Sequence, residues 1–197
     1  SLEDVIEKDI KTRDILIFSK KCFLNDIINQ NKEFKNLDNL FEINWGDTNI
    51  TKKSYVDNGY TAYSAAGPDG FLSKYDFNTE GIVLAAIGTC GKCYFAEGKW
   101  SAIKNTITLI PKKIDLNYMK IIFEIINDVS YWRSSGGVQK FISLEEAKKS
   151  KIFILNKNEI RNYFKTLQLL NNALSEIETS IFISKSLKKS LINQIFE

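Results

Sequence analysis

Three stretches of the sequence hold residue types whose spacing could do chemistry. The first, CGKC at Cys90 to Cys93, has the spacing of a zinc or dithiol redox pair. Zinc takes four ligands, however, and only Cys22 is left to add, with no His anywhere in the chain. The plainer reading makes Gly88 and Gly91 a tight turn between two strands and the cysteines small apolar fillers. The second stretch is Pro68-Asp69, followed at a distance by Glu97-Gly98-Lys99, a loose trace of the pattern in which two acids hold Mg²⁺ and a Lys steadies a phosphate. GPDG equally reads as a β-turn and AEGK as a hairpin turn, which would put both acids at loop tips. The third, YWRSSGGVQKFI at Tyr131 to Ile142, sets Arg133, Ser134, Ser135, Gln139 and Lys140 around a double glycine. Arg and Gln are the side chains that grip guanine and adenine edges with two hydrogen bonds, and Ser serves base or phosphate. Such a loop suits the reading of DNA; its alternative is an ordinary polar glycine loop.

Absences narrow the choice. With no His, the commonest general base and metal ligand are missing. Nor does the chain contain a Gly-rich dinucleotide fingerprint, a phosphate-binding G-x-x-x-x-G-K-[ST] loop, or the Asn/Asp-Pro-Pro-aromatic tetrapeptide of amino-methyltransferases. We expect no catalytic residues, no metal and no cofactor. Three cysteines do not make a disulfide framework, no apolar run is long enough to cross a bilayer, and the acidic opening SLEDVIEKD is unlike a signal peptide. A cytoplasmic protein without membrane contact is expected. Because it opens without Met, the chain also reads as a processed or trimmed product. Its net charge of +3 is unevenly placed: residues 98–113 carry Lys99, Lys104, Lys112 and Lys113 with no acid, whereas residues 1–50 hold ten acids and seven bases. Basic segments in the middle fit an anionic partner such as nucleic acid, or simply solvated surface.

The elements that must position these residues are legible in outline. Both prolines, Pro68 and Pro111, and all ten glycines lie between residues 46 and 137, so the two ends are free of helix breakers. Residues 2–28 and 158–196 therefore read as long helices. In the second, Leu170, Leu174, Ile177, Ile181, Leu191 and Ile195 keep heptad spacing, with Ser184 and Lys188 as polar interruptions. Sliding the first helix along by 168 residues, a multiple of seven, lays Leu2 on Leu170, Ile6 on Leu174, Phe23 on Leu191 and Ile27 on Ile195. KKCFLNDII (Lys20 to Ile28) thereby falls on KKSLINQIF (Lys188 to Phe196). A repeated connector helix and chance similarity between two Ile-, Asn- and Lys-rich helices both explain this match. Between the ends, β-rich runs alternate with turns, interrupted by helical patterns at Asp115 to Asp128 and after Ser143, whose Glu146 completes a capping box.

In order along the chain, FKNLDNLFEINWGDT (Phe34 to Thr48), GYTAYSAAGPDGFLSKYDF, GIVLAAIGTCGKCYF, WSAIKNTITLI, SSGGVQKFISLEEAKKSKIFIL and the closing LKKSLINQIF resemble the specificity (S) subunits of type I restriction–modification systems. Where that family has a proline-rich entry into the last helix, this chain has NKNEIRNYF. The resemblance implies an α+β fold: a mixed α/β globular target-recognition domain, residues 31–156, between a connector helix at 1–30 and a C-terminal coiled-coil helix at 157–197. It implies two such domains per complete subunit, joined by antiparallel helices. This chain would then be the second half of a subunit, or a half-subunit forming a homodimer through its helices. It further implies double-stranded DNA as ligand and, as protein partners, an adenine-N6 DNA methyltransferase (M) subunit and through it the restriction (R) subunit. On that basis Arg133, Ser134, Ser135, Gln139 and Lys140, then Tyr63 and Ser64, are expected to meet DNA, with Lys74, Lys92 and Lys99 in support. Lys104, Lys112 and Lys113 would join Lys99 on phosphates. The alternatives are a recognition domain from a fused or solitary adenine methyltransferase, a coiled-coil assembly protein that binds no DNA, and a Mg²⁺ nuclease built on Asp69, Glu97 and Lys99.

Overall fold

The computed structural model describes residues 1–30, 33–137 and 139–196, with side chains through Gln194. Two compact units emerge, Ser1–Asn31 with Asn156–Glu197 and Lys32–Leu155.

The helical unit consists of α1 (Leu2–Gln30) and α5 (Lys157–Phe196), neither of which contains Gly or Pro. The two run antiparallel. Glu3 meets Lys188, Ser180 Oγ donates to Asp9 at 2.7 Å, and the Phe23 and Tyr163 rings meet edge-on with centroids 6.0 Å apart. In α1 the residues withdrawn from solvent include Leu2, Ile6, Asp9, Arg13, Leu16, Lys20, Phe23 and Ile27, alternating steps of three and four. In α5 the same rhythm runs through Ile160, Tyr163, Leu167, Leu170, Leu174, Ile177, Ile181, Ser184 and Lys188. This is a heptad seam, and it starts three positions earlier in α5 than the expected Leu170. Leu191, also expected in the seam, is 46% exposed. The side chain of Ile195 lies outside those described. The entry to α5 is a capping box: Asn156 Oδ1 accepts from the Asn158 and Glu159 amides at 2.9 and 3.1 Å, and Glu159 Oε2 accepts from the Asn156 amide at 2.7 Å. Asn156 and Glu159 thus start the helix without the proline-rich entry that the resemblance led us to expect.

The globular unit has two four-stranded sheets. One is antiparallel throughout, in the order β2 (Phe41–Trp45), β9 (Thr106–Pro111), β6 (Gly81–Ala85), β7 (Cys93–Ala96). The other runs β4 (Gly67–Leu72), β3 (Tyr60–Ser64), β8 (Lys99–Ala102), β5 (Phe77–Asn78), with β3 and β8 parallel. Between the sheets, Tyr63, Trp100 and Ala102 pack on Val83 and Ala96. On the far side of the first sheet lies α3 (Leu116–Ile126), capped by Asp115, with its Phe123 ring edge-on to Phe95 and Cys93 Sγ donating to Ile126 O at 3.4 Å. All five residues of β6 are buried, which is why the sequence reads there as an unbroken apolar run. A further pair, β1 (Phe34–Asn36) with β10 (Lys151–Phe153), closes the unit beside α2 (Leu37–Leu40) and α4 (Leu144–Lys149).

Two expected turns come out differently. GPDG is not a turn but the first four residues of β4; the chain reverses one step earlier, at Ala65-Ala66. Pro68 is tolerated because β4 is an edge strand and its pairing shifts register opposite Ala62 and Tyr63, where a missing amide costs no ladder bond. AEGK does turn, with Gly98 at φ 69°, but it joins no hairpin: β7 belongs to one sheet and β8 to the other.

Candidate nucleic-acid interface

Because β3 and β8 are parallel, the segments that follow them leave the globular unit at the same end. The Ile103 amide donates to Tyr63 O at 2.9 Å, tying the β8–β9 turn to the end of β3. The amide of Ala86 donates to Asn105 O and that of Ile142 to Ala86 O, both at 3.0 Å, which brings in the β6–β7 turn and the 133–142 segment. Thr89 Oγ1 and Tyr94 OH both donate to Ala65 O. Gly88 and Gly91 lie in the β6–β7 turn, as expected of a tight turn between two strands, and sit at φ 94° and 91°. Four turns from distant parts of the chain are therefore one surface. With the β2–β3 connection, whose Ile50 O accepts from the Lys104 amide at 3.4 Å, it carries Lys52, Lys53, Lys92, Lys104, Arg133 and Lys140.

The acids at this end are already engaged. Asp69 is held by Lys52, Tyr55 and Ser64, and Glu145 pairs with Lys149. Glu146 Oε1 accepts from Ser135 Oγ at 3.1 Å, while its Oε2 accepts from the Ser143 amide and hydroxyl at 3.1 and 3.0 Å. The Ser143 amide, opposed by partial burial and helped by the two serine hydroxyls and the Arg133 charge, holds the Glu146 carboxyl below its ordinary range. Among the described residues Lys53, Lys104 and Lys140 make no ion pair.

The 133–142 segment folds on itself, with Ser135 and Phe141 exchanging both backbone hydrogen bonds at 2.9 Å. It divides two grooves. One, of about 600 Å³, is lined by Lys92, Gln139 and Lys140 with Thr89 and Cys90. The other, of about 730 Å³, is lined by Arg133, Ser135, Glu146, Lys149 and Lys151. Ser134 is exposed on the segment itself. Lys92 Nζ stands 5.7 Å above the Tyr94 ring. Cys90, beside Lys140, has its thiol pushed up by burial, so it is held protonated.

The other expected residues are placed elsewhere. Tyr63 is buried between the sheets, its hydroxyl donating to Phe95 O at 3.3 Å, and burial raises its phenol. Ser64 is also buried, and its hydroxyl is spent on Asp69 and the Ala66 amide. Lys99 opens β8, at the end away from Lys104, with its Nζ 5.6 and 5.0 Å over the Tyr60 and Tyr75 rings. Lys74 follows β4 at that same far end, because Leu72 pairs with Tyr60. One strand length, roughly 13 Å, separates them from the loop cluster. Lys112 and Lys113 lie past the far end of β9, where Lys112 Nζ donates to Asp38 O at 2.6 Å. The residues that sequence reasoning missed are Lys52, Lys53 and Asn105. Only the pairing of β3 with β8, invisible in local pattern, reveals them.

Asp69 and Glu97 form no metal site. Glu97 pairs with Lys120 at 3.8 Å, and among the described residues no three metal-ligating side chains converge.

Residues 29–188 match the family described as type I restriction modification DNA specificity domain. The chain belongs to that family. No curated protein matches the sequence. Among solved structures, it is similar to the S subunit of the type I restriction–modification system from M. genitalium, with TM-score 0.63, 17% identity, and 96% of this chain covering 54% of that one. Similar too is the HsdS subunit from Thermoanaerobacter tengcongensis, with TM-score 0.60, 10% identity, and 98% of this chain covering 55% of that one. A chain described in the context of complex assembly and conformational transition of the type I restriction–modification system gives TM-score 0.63 at 12% identity, with 100% of this chain covering 57% of that one. The chain thus spans a little over half the length of these relatives.

Proposed function

We propose that this chain is a non-catalytic DNA-recognition component that reads one part of a target sequence and delivers an adenine-N6 methyltransferase, and through it a restriction subunit, to that site. The observation that carries this reading is the single loop surface of the globular unit, which presents Lys53, Lys104 and Lys140 together with Arg133 and Gln139 while the carboxylates of Asp47, Asp69, Glu145 and Glu146 are engaged by donors or an ion pair. Lys53, Lys104 and Lys140 neutralise phosphates and set the register. Gln139 and Arg133, each in its own groove, contact base edges.

The helical unit joins this recognition module to a second one, either in the same polypeptide or in a second copy of the chain. Its antiparallel seam supports a spacer role. We place the complex in the cytoplasm, with its DNA; no helix among the described residues is long and apolar enough to cross a membrane.

Selection from a randomised duplex pool tests the reading. Enrichment of one short motif is expected, with binding that weakens steeply as salt rises. Retention of DNA without any enriched motif would reduce the chain to a nonspecific binder, and no retention at low salt would favour a purely structural protein.

A further inference from the structure

Two segments of the loop surface meet on one carboxylate of a third. Asp69, on the edge strand β4, accepts from Tyr55 OH at 2.7 Å through Oδ1, from Ser64 Oγ at 2.6 Å through Oδ2, and from Lys52 Nζ on the same oxygen. Lys52 and Tyr55 belong to the connection between β2 and β3, and Ser64 ends β3. The Ser64 hydroxyl also accepts from the Ala66 amide at 3.0 Å, so the bond chain continues into the β3–β4 turn. Partial burial pulls the Asp69 carboxyl upward, but the bonds from Lys52, Ser64 and Tyr55 outweigh it and hold the group below its ordinary value. Tyr55 is pushed up by burial and by the same bond.

The close approach is written into Gly70. A Cβ there would lie 2.0 Å from Cδ2 of the Tyr55 ring, so only glycine leaves the bed on which that ring rests. Beside this clasp, between residues 51–52 and the β8–β9 turn, opens a cleft of about 270 Å³ whose walls include Thr51, Lys52, Ser64, Lys104 and Asn105. Asn105 adopts φ 73°, a left-handed backbone that Asn tolerates, and Lys104 next to it is exposed at the cleft.

We propose that Asp69 is a positioning residue for DNA recognition: its carboxylate fixes residues 51–55 against the Ser64–Gly67 turn and so shapes the cleft that seats the DNA backbone beside Lys104. The inference rests on the DNA-recognition reading above. Lys52 is in this account a strut rather than a phosphate ligand, because its charge is spent on Asp69.

The test measures affinity of the full chain for the selected duplex and for a scrambled one across about 50 to 200 mM salt. Asp69→Asn should lower affinity for the selected duplex about ten-fold or more, while affinity for the scrambled duplex, relieved of one negative charge, should not fall. Lys52→Met should lower selected-duplex affinity likewise, and the double variant, which restores the net charge, should be no worse than either alone on the selected duplex and like the native chain on the scrambled one. Gly70→Ala, which displaces the Tyr55 ring without touching a charge, should follow in the same direction. Equal losses on both duplexes, or none on either, would overturn the positioning role. So would a Lys52→Met variant that flattens the salt slope by about one and adds to Asp69→Asn, since Lys52 would then be a phosphate contact. Where Asp69→Asn fails to fold, Gly70→Ala and Tyr55→Phe decide by the same two outcomes. A native chain that prefers no duplex would sink the DNA reading itself, and this proposal with it.

Discussion

Glu146 serves two structures with one carboxylate. Its backbone amide and side chain complete the capping box that starts α4, and its second oxygen holds Ser135, at the base of the segment carrying Gln139 and Lys140. Glu146→Ala should therefore loosen both, costing about 1 kcal/mol of stability through the cap alone and broadening sequence preference, as thermal unfolding and binding to single-mismatch duplexes would show. The sign of its pH dependence follows from the direction of its shift. A carboxyl held below its ordinary 4.5 contributes stability that is complete above that value and is lost as pH falls through the lower folded one. Acid titration should thus leave the loop anchored at neutral pH, where native chain and variant differ, and bring the two together as pH falls below about 4.5. Gln139→Ala should cost about 1–3 kcal/mol on the selected duplex and nothing on a scrambled one; Arg133→Ala should cost less, because Glu146 already draws its charge. Lys104→Ala should lower the salt slope by about one, whereas Lys113→Ala, at the far end of β9, should leave it unchanged. The stretch from Arg133 to Lys140 was legible as a polar glycine loop from its composition. That Tyr63 and Ser64 are both buried was not, because β3 is covered on both faces, with Tyr63 against the other sheet and Ser64 against Asp69, and local pattern names neither cover.

At the scale of elements, the helices were the readable part, since a 3.6-residue period and the absence of Gly and Pro act locally. The capping box at Ser143 was visible for the same reason. Its counterpart at Asn156 and Glu159 was hidden behind the expectation of a proline, although Asn-x-x-Glu carries the same physics. Asn156→Ala should cost about 0.5–2 kcal/mol of helical stability, readable as a lower melting midpoint by circular dichroism. Along the seam, Ile181→Ala should cost about 2 kcal/mol because Ile181 is buried against α1. Leu191→Ala, at an exposed position, should change stability by no more than about 0.5 kcal/mol. Strands were less legible. AEGK carries the composition of a hairpin turn, and nothing local tells the chain to change sheets at Gly98; that choice is made by Trp100, which inserts between the sheets and donates from Nε1 to Thr79 O at 2.8 Å.

For the molecule as a whole, the 168-residue repeat matters because it maps seam onto seam: Leu2, Ile6, Arg13 and Lys20 fall on Leu170, Leu174, Ile181 and Lys188, all withdrawn from solvent in the structure. The two helices are thus written in one heptad register although they run in opposite directions. Under the proposed function, that shared register would let the seam join an equivalent second module. What neither period nor composition could supply was the gathering of four distant turns into one basic surface, since that depends on the parallel pairing of β3 with β8. The most direct test of the account is methylome sequencing of cells carrying this gene together with its methyltransferase, for the native chain and for Gln139→Ala. The account requires a single modified motif with the native chain and relaxed bases within that motif with the variant. An unchanged pattern of modification when the gene is removed would contradict it.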